Sequence, residues 1–277
     1  MDKNSYFRTP SQLFRELGIA SADEIDVEAI AYHCNATIRY RPLTGCAARI
    51  VGNGNTAIIT VNSESPRPRQ RFSAAHELGH WMRDRGKASF SCRDVEFITQ
   101  WSRHNPESRA NMYASDLVLP VSLFTPAASA FKAINFDAVR NLADTFVTSL
   151  TATAIRLVEY GPLPAMLVCY SLAGREWFVR AAGVPKEIWP HEKIVSGSYA
   201  FDLLKSSAER ELKGEVSAAA WFNHSVANRY DVYEHSLRTR YGEVFTLLWW
   251  KNEQMLIDIE EYEERRAARR SDRRRDE

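Results

Sequence analysis

Along the first third of the chain the spacing of hydrophobic positions changes twice. Residues 11–18 (SQLFRELG) and 26–34 (DVEAIAYHC) place apolar side chains at helical intervals, the second opening on Asp26 as an N-cap. From ATIRYRP (36–42) through ARIVG (48–52) to TAIITVN (56–62), β-branched residues in partial alternation take over. GNGN (52–55) turns the chain, so the pattern predicts three strands, the last two forming a hairpin. After the polar loop SESPRPRQ, helical spacing returns over FSAAHELGHWM (72–82) and again over HNPESRANMYASDLVLP (104–120). In the latter Asn105 caps, Pro106 fills the first turn and Pro120 prevents continuation.

Residues 136–160 read as two helices joined at Thr148 and Ser149, a helix-turn-helix in outline, and GPLP (161–164) marks a candidate domain boundary. Beyond it AMLVCYSL, EWFVRAAG and VFTLLWW predict strands, and FDLLKSSAERELKG an intervening helix. The expected class is α+β: a domain over 1–125 with a short mixed sheet, a helical segment over 126–162, a second α+β domain over 163–260 for sensing or docking, and a charged tail over 261–277. Five of the seven tryptophans fall in the second domain, where an aromatic core is the ordinary use.

Composition narrows the function. Lys and Arg number 36 against 35 acids, a formal net charge of +1, so no global field draws the chain to nucleic acid or an anionic membrane. The tail mixes seven arginines with six acids and gives only a weak case for polyanion binding. No apolar run approaches the ~18 residues a membrane span needs, and the start carries no signal-like apolar core, so a cytoplasmic location is expected. Cys34, Cys46, Cys92 and Cys169 lack C-x-x-C spacing and read as reduced thiols.

The candidate chemistry lies in HELGH. Positions i and i+4 stack on one helix face, so His76 and His80 point the same way, and Glu77 lies about 60° around from His80. Two imidazoles one turn apart can supply two Zn–N bonds of ~2.0 Å, while the adjacent carboxylate can act as general base in peptide hydrolysis. A third ligand must come from another element. Glu107, at the start of the next helix, is the best candidate, with Asn111 one turn on over the same face to accept a hydrogen bond from a ligand histidine. The alternative use of Glu107 is to complement a helix N-terminus. Gly79 costs helix propensity, which a close helix approach would explain. His33, His104, His191, His224 and His235 stand outside any ligand-like spacing, and of these His104 is nearest the site.

RQRFSAAHELGHW after IITVN, followed by ESRANMYASDLVLP, resembles the ImmA/IrrE family of bacterial zinc metallopeptidases, with its R-F-x-x-A-H-E-x-G-H and E-x-x-A-N-x-F/Y-A-x-x-L-L-x-P patterns. The likeness covers roughly 25–160, and Val118 stands where the pattern has leucine. It implies a zincin-like fold with one Zn2+ per chain, held by His76, His80 and Glu107, and Glu77 as catalytic base. It also implies a protein partner cleaved by the enzyme, an Xre-type transcriptional repressor or an antitoxin, in stress response or mobile-element control. In zinc peptidases of this build a substrate adds as a strand beside the active-site helix, here along TAIITVN as an edge. The domain order resembles the radiation-response branch, whose C-terminal domain is GAF-like. Two other functions compete: a DNA-binding regulator using 136–160, whose second helix has a single Arg and no Lys, and a partner-binding module that keeps the zinc fold without proteolysis.

Overall fold

The computed structural model describes residues 7–84, 90–92, 105–206 and 209–273. The chain folds as two units, Met1–Ala127 with Arg140–Thr153, and Ala128–Val139 with Ala154–Glu277. Among the described residues no helix is long and apolar enough to cross a membrane.

In the first unit the local signals act as the sequence predicts. α1 (Pro10–Leu17) precedes α2 (Val27–His33), where Asp26 accepts a hydrogen bond from the Ala29 N–H at 3.0 Å. β1 (Ala36–Arg41), β2 (Ala48–Asn53) and β3 (Thr56–Asn62) follow, with Gly54 at φ 59° turning β2 into β3. Then come α3 (Arg67–Asp84), β4 (Phe90–Cys92) and α4 (Pro106–Val118), capped by Asn105. α5 (Val121–Ser129), α6 (Phe136–Phe146) and α7 (Leu150–Tyr160) complete the helices before the second sheet, and both α6 and α7 are divided between the two units. α5 carries Pro126 inside it and has no counterpart in the sequence pattern.

The sheet order is β1-β3-β2-β4, with β1 parallel and β2 antiparallel to β3. This corrects one expectation: TAIITVN is an interior strand, hydrogen-bonded on both edges, and cannot accept an added one. The parallel partner β1 is a non-local pairing that no turn announces. Ala57, Ile59 and Val61 alternate into the core on the period of 2, and α3 packs on this sheet.

The second unit holds a five-stranded antiparallel sheet. Its strands are β5 (Ala165–Ser171), β6 (Gly174–Arg180), β7 (Glu211–Ser217), β8 (Asp231–Arg238) and β9 (Val244–Trp249), in the order β6-β5-β9-β8-β7. α8 (Tyr199–Lys205) lies between β6 and β7 in the chain, and α9 (Gln254–Arg273) runs into the tail. The helix expected over FDLLKSSAERELKG therefore stops early. ELKG begins β7, because pairing with β8 outweighs the helical preference of Glu, Leu and Lys. Residues 165–170 are buried throughout, the mark of a strand covered on both faces. Trp221 and Trp250 lie in the core as expected, whereas Trp189 is exposed.

β8 carries buried polar side chains. Glu234 accepts from Ala200 N–H, Trp221 Nε1–H and the Ser236 hydroxyl at 2.7, 2.9 and 2.6 Å. Beside it His235 is fully buried. Its Nδ1 accepts from the Phe136 N–H at 3.1 Å, which leaves the proton on Nε2 to donate to Glu211 at 2.6 Å. Burial above all pushes this imidazole below its ordinary value of 6.5. Below that value the unfolded chain binds a proton that the folded ring resists, so acid favours unfolding. Thermal melts should show stability falling from about pH 7 to about pH 5.5, and His235→Asn should flatten that fall. An unchanged slope in the variant would assign the pH dependence to other groups.

Candidate functional site

α3 is buried on every side from Ser73 to Met82. Ala74, Ala75, Leu78, Trp81 and Met82 are its apolar core positions, yet His76, Glu77 and His80 lie in the same buried turns, Glu77 with no exposure at all. Such groups need partners or ions to offset their lost hydration. The helix is held by a wedge: the Trp81 ring lies where a Cβ on Gly52 of β2 would be 2.8 Å away, and its indole N–H donates to the Cys34 carbonyl at 2.8 Å. A glycine inside a strand and a tryptophan one residue past the motif are the signals of this wedge, and the sequence pattern alone does not join them.

α4 crosses α3 at Gly79, where an added Cβ would stand 3.1 Å from Tyr113 Cβ and 3.2 Å from both the Cα and carbonyl oxygen of Ala110. This close approach is the reason expected for a glycine in mid-helix. It carries Glu107, in the first turn of α4, to the imidazoles. The carboxylate oxygens lie 3.2 Å from His76 Nε2 and 3.3 Å from His80 Nε2, and the two Nε2 atoms are 3.1 Å apart. Glu107 N–H also donates to the Asn105 side chain at 3.0 Å, so the residue sits at a helix start and at the site together. The side chain of His80 is 1% exposed and that of Glu107 33%, which places the solvent side at Glu107. The neighbouring His76 and His80 rings hold the Glu107 carboxyl far below the usual carboxylate range.

Two imidazole nitrogens 3.1 Å apart, each 3.2–3.3 Å from one oxygen of the same carboxylate, fit one small cation. Tetrahedral bonds of ~2.0 Å put neighbouring ligand atoms about 3.3 Å apart, the edge length seen here. The second imidazole nitrogen supports the same reading: His76 Nδ1 donates to Asn111 Oδ1 at 2.8 Å, leaving the Nε2 lone pair turned to the site. Among the described residues, His76, His80 and Glu107 are the group whose donor atoms gather closely enough to hold a metal ion. The structure thus brings the three sequence-designated ligand candidates together, with Glu77 in the same turn of α3. His104 and the side chain of Cys92 lie outside the described residues. His33 pairs with Glu16, His224 with Glu263 and His235 with Glu211.

Residues 33–158 match the model of the IrrE N-terminal-like domain, a peptidase family. Among solved structures the fold is similar to that of a Mycobacterium tuberculosis transcriptional regulator, at 12% identity and a TM-score of 0.56, over 90% of this chain and 77% of that one. No curated protein matches the chain by sequence. The α+β class and the zincin-like build of sheet plus H-E-x-x-H helix are as the sequence predicts.

Gly79→Ala should cost about 1–2 kcal/mol net, overpacking against Ala110 and Tyr113 outweighing the gain in helix propensity. Thermal unfolding and zinc titration should both register the change. Stability equal to or above wild type would mean that the two helices have slack at this crossing.

Proposed function

From the premise that residues 33–158 belong to the IrrE N-terminal-like peptidase family, we propose that this chain is a zinc-dependent endopeptidase that cleaves a partner protein. His76, His80 and Glu107 would hold the ion, one per chain, and Glu77 is the general base. The observation that supports the reading is the 3.1–3.3 Å triangle of two Nε2 atoms and a carboxylate, one residue from a wholly buried glutamate.

When bound, zinc supplies a Lewis acid that polarises a peptide carbonyl and makes water a nucleophile near neutral pH. The chain's own residues do the rest. The Glu107 carboxylate offsets cation charge at the solvent side of the site. Asn111 fixes the His76 tautomer, so that no rotation of the ring precedes binding. The Glu77 carboxylate accepts the proton of the attacking water and returns it to the leaving amine nitrogen, an exchange worth roughly 10²–10⁴-fold in rate.

The substrate proposed is an Xre-type transcriptional repressor or an antitoxin, whose cleavage releases stress-response or mobile-element genes in the cytoplasm. The proposed organisation is a peptidase domain over 1–125, a helical segment over 126–162 and a docking or sensing domain over 163–260. The DNA-binding alternative rests on the helix-turn-helix outline of residues 136–160; against it, Arg156, the one arginine of α7, is 6% exposed and stacks on Tyr160 at 5.1 Å, a poor grip for phosphates.

Glu77→Gln should retain zinc and lose cleavage, whereas His80→Ala should lose both, as read by metal analysis and by incubation with the product of the adjacent gene with and without chelator. Wild-type cleavage by Glu77→Gln would remove the mechanism. Asn111→Ala should weaken zinc affinity by about 10–100-fold with the fold intact, measured by competition with a chromophoric chelator. Unchanged affinity would deny Asn111 its orienting role.

A further inference from the structure

The outer face of the first sheet carries a charge pattern that peptide hydrolysis leaves unused. Along β1, β3 and β2 the more deeply buried positions share the face on which α3 packs, and the alternate positions look outward. Register sets Arg39 of β1 opposite Thr60 of β3, and Thr60 opposite Arg49 of β2, so one outward row reads guanidinium, hydroxyl, guanidinium. Arg41, two residues along β1 from Arg39, faces the same way. In the neighbouring row Ile58 of β3 stands opposite Val51 of β2, and these two β-branched side chains are 39% and 56% exposed.

Two features set this face apart from an ordinary solvated one. Other arginines of the unit are engaged: Arg8 pairs with Glu16, Arg67 with Glu28, and Arg71 donates to the Ile25 carbonyl. The side chains of Arg39, Arg41 and Arg49 have no hydrogen bond, ion pair or ring contact among the described residues, and β1, β2 and β3 carry no carboxylate to offer one. Beside them the Val51–Ile58 pair lies open to water, and covering it gains hydrophobic free energy.

The pattern chooses the partner. Three guanidinium groups without a counter-charge call for an anion, and their planar forks match carboxylates and phosphates alike. The aliphatic pair decides between these. A nucleic-acid backbone offers Val51 and Ile58 nothing apolar, and no residue of β1, β2 or β3 on this face has an aromatic ring on which a base could stack. A protein segment with aliphatic side chains among its carboxylates meets both needs, and an apolar centre edged by arginine is ordinary make-up for a protein interface. We propose that the outer face of β1, β3 and β2 docks an acidic, aliphatic segment of a partner protein. Its carboxylates pair with Arg39, Arg41 and Arg49, and its aliphatic residues cover Val51 and Ile58. Because α3 packs on the opposite face of the sheet, the segment binds clear of His76 and His80 and needs no zinc. The face thus selects a partner apart from the peptidase site, and stands or falls without it.

The test is ribosome display, on the full chain, of random peptides about 16 residues long, about four turns when helical. Chelator is present throughout, so that cleavage plays no part and the result is separate from the peptidase reading. Selected peptides should be acidic with interspersed aliphatic residues, and their binding should weaken at least about tenfold on combining Arg39→Gln with Arg49→Gln and fall with added salt. Combining Val51→Ser with Ile58→Ser should weaken the same peptides about threefold or more, a loss that purely ionic attraction would not show. All four positions are exposed, and thermal melts matching wild type show that the fold is kept. Peptides without acidic bias, peptides indifferent to either pair of substitutions, or a DNA duplex that binds through Arg39 and Arg49 more tightly than any selected peptide would each overturn the proposal.

Discussion

The approach of α4 to α3 at Gly79 is the constraint on which the site rests. Helix axes ordinarily stand about 8–10 Å apart, set by the side chains at the crossing, and a glycine facing the Ala110 backbone removes the bulk that would hold them away. Only because the two backbones meet there does Glu107, one turn before Ala110, reach imidazoles on another helix. A side chain at position 79 would displace the carboxylate from the rings without touching it.

The same crossing explains how a helix can bury two histidines and a glutamate. Trp81 fixes α3 against the sheet through Gly52 and the Cys34 carbonyl, and α4 covers its far side. The buried rings meet one carboxylate and one carboxamide, each from α4. Position, tautomer and charge are thus set by a single neighbouring helix, spaced so that Glu107 and Asn111 fall one turn apart. A small displacement of α4 moves every one of these together, which makes the cluster rigid and also vulnerable.

Much of this is legible in the chain. Asp26 and Asn105 announce helix starts, GNGN the hairpin, and the paired i, i+4 histidines with Glu107 and Asn111 the shared face. These are local signals, carried within one or two turns. What the sequence hides is non-local. The parallel pairing of β1 to β3 turns an expected edge into an interior strand. β8 gives no strand pattern because Glu234, His235 and Ser236, all fully buried, interrupt any apolar alternation, and they are tolerated only through partners that include groups on α8, α6 and β7. The Glu, Leu and Lys that open β7 favour helix in isolation, a preference that pairing with β8 overrides.

The central claim is that His76, His80 and Glu107 share one zinc ion. X-ray absorption at the zinc edge on the purified wild-type chain addresses it most directly. The account predicts one zinc per chain, with a first shell of two imidazole nitrogens and light oxygen donors at ~2.0–2.1 Å. A shell containing sulfur at ~2.3 Å, or a protein that retains no zinc after equilibration with the metal, would contradict it.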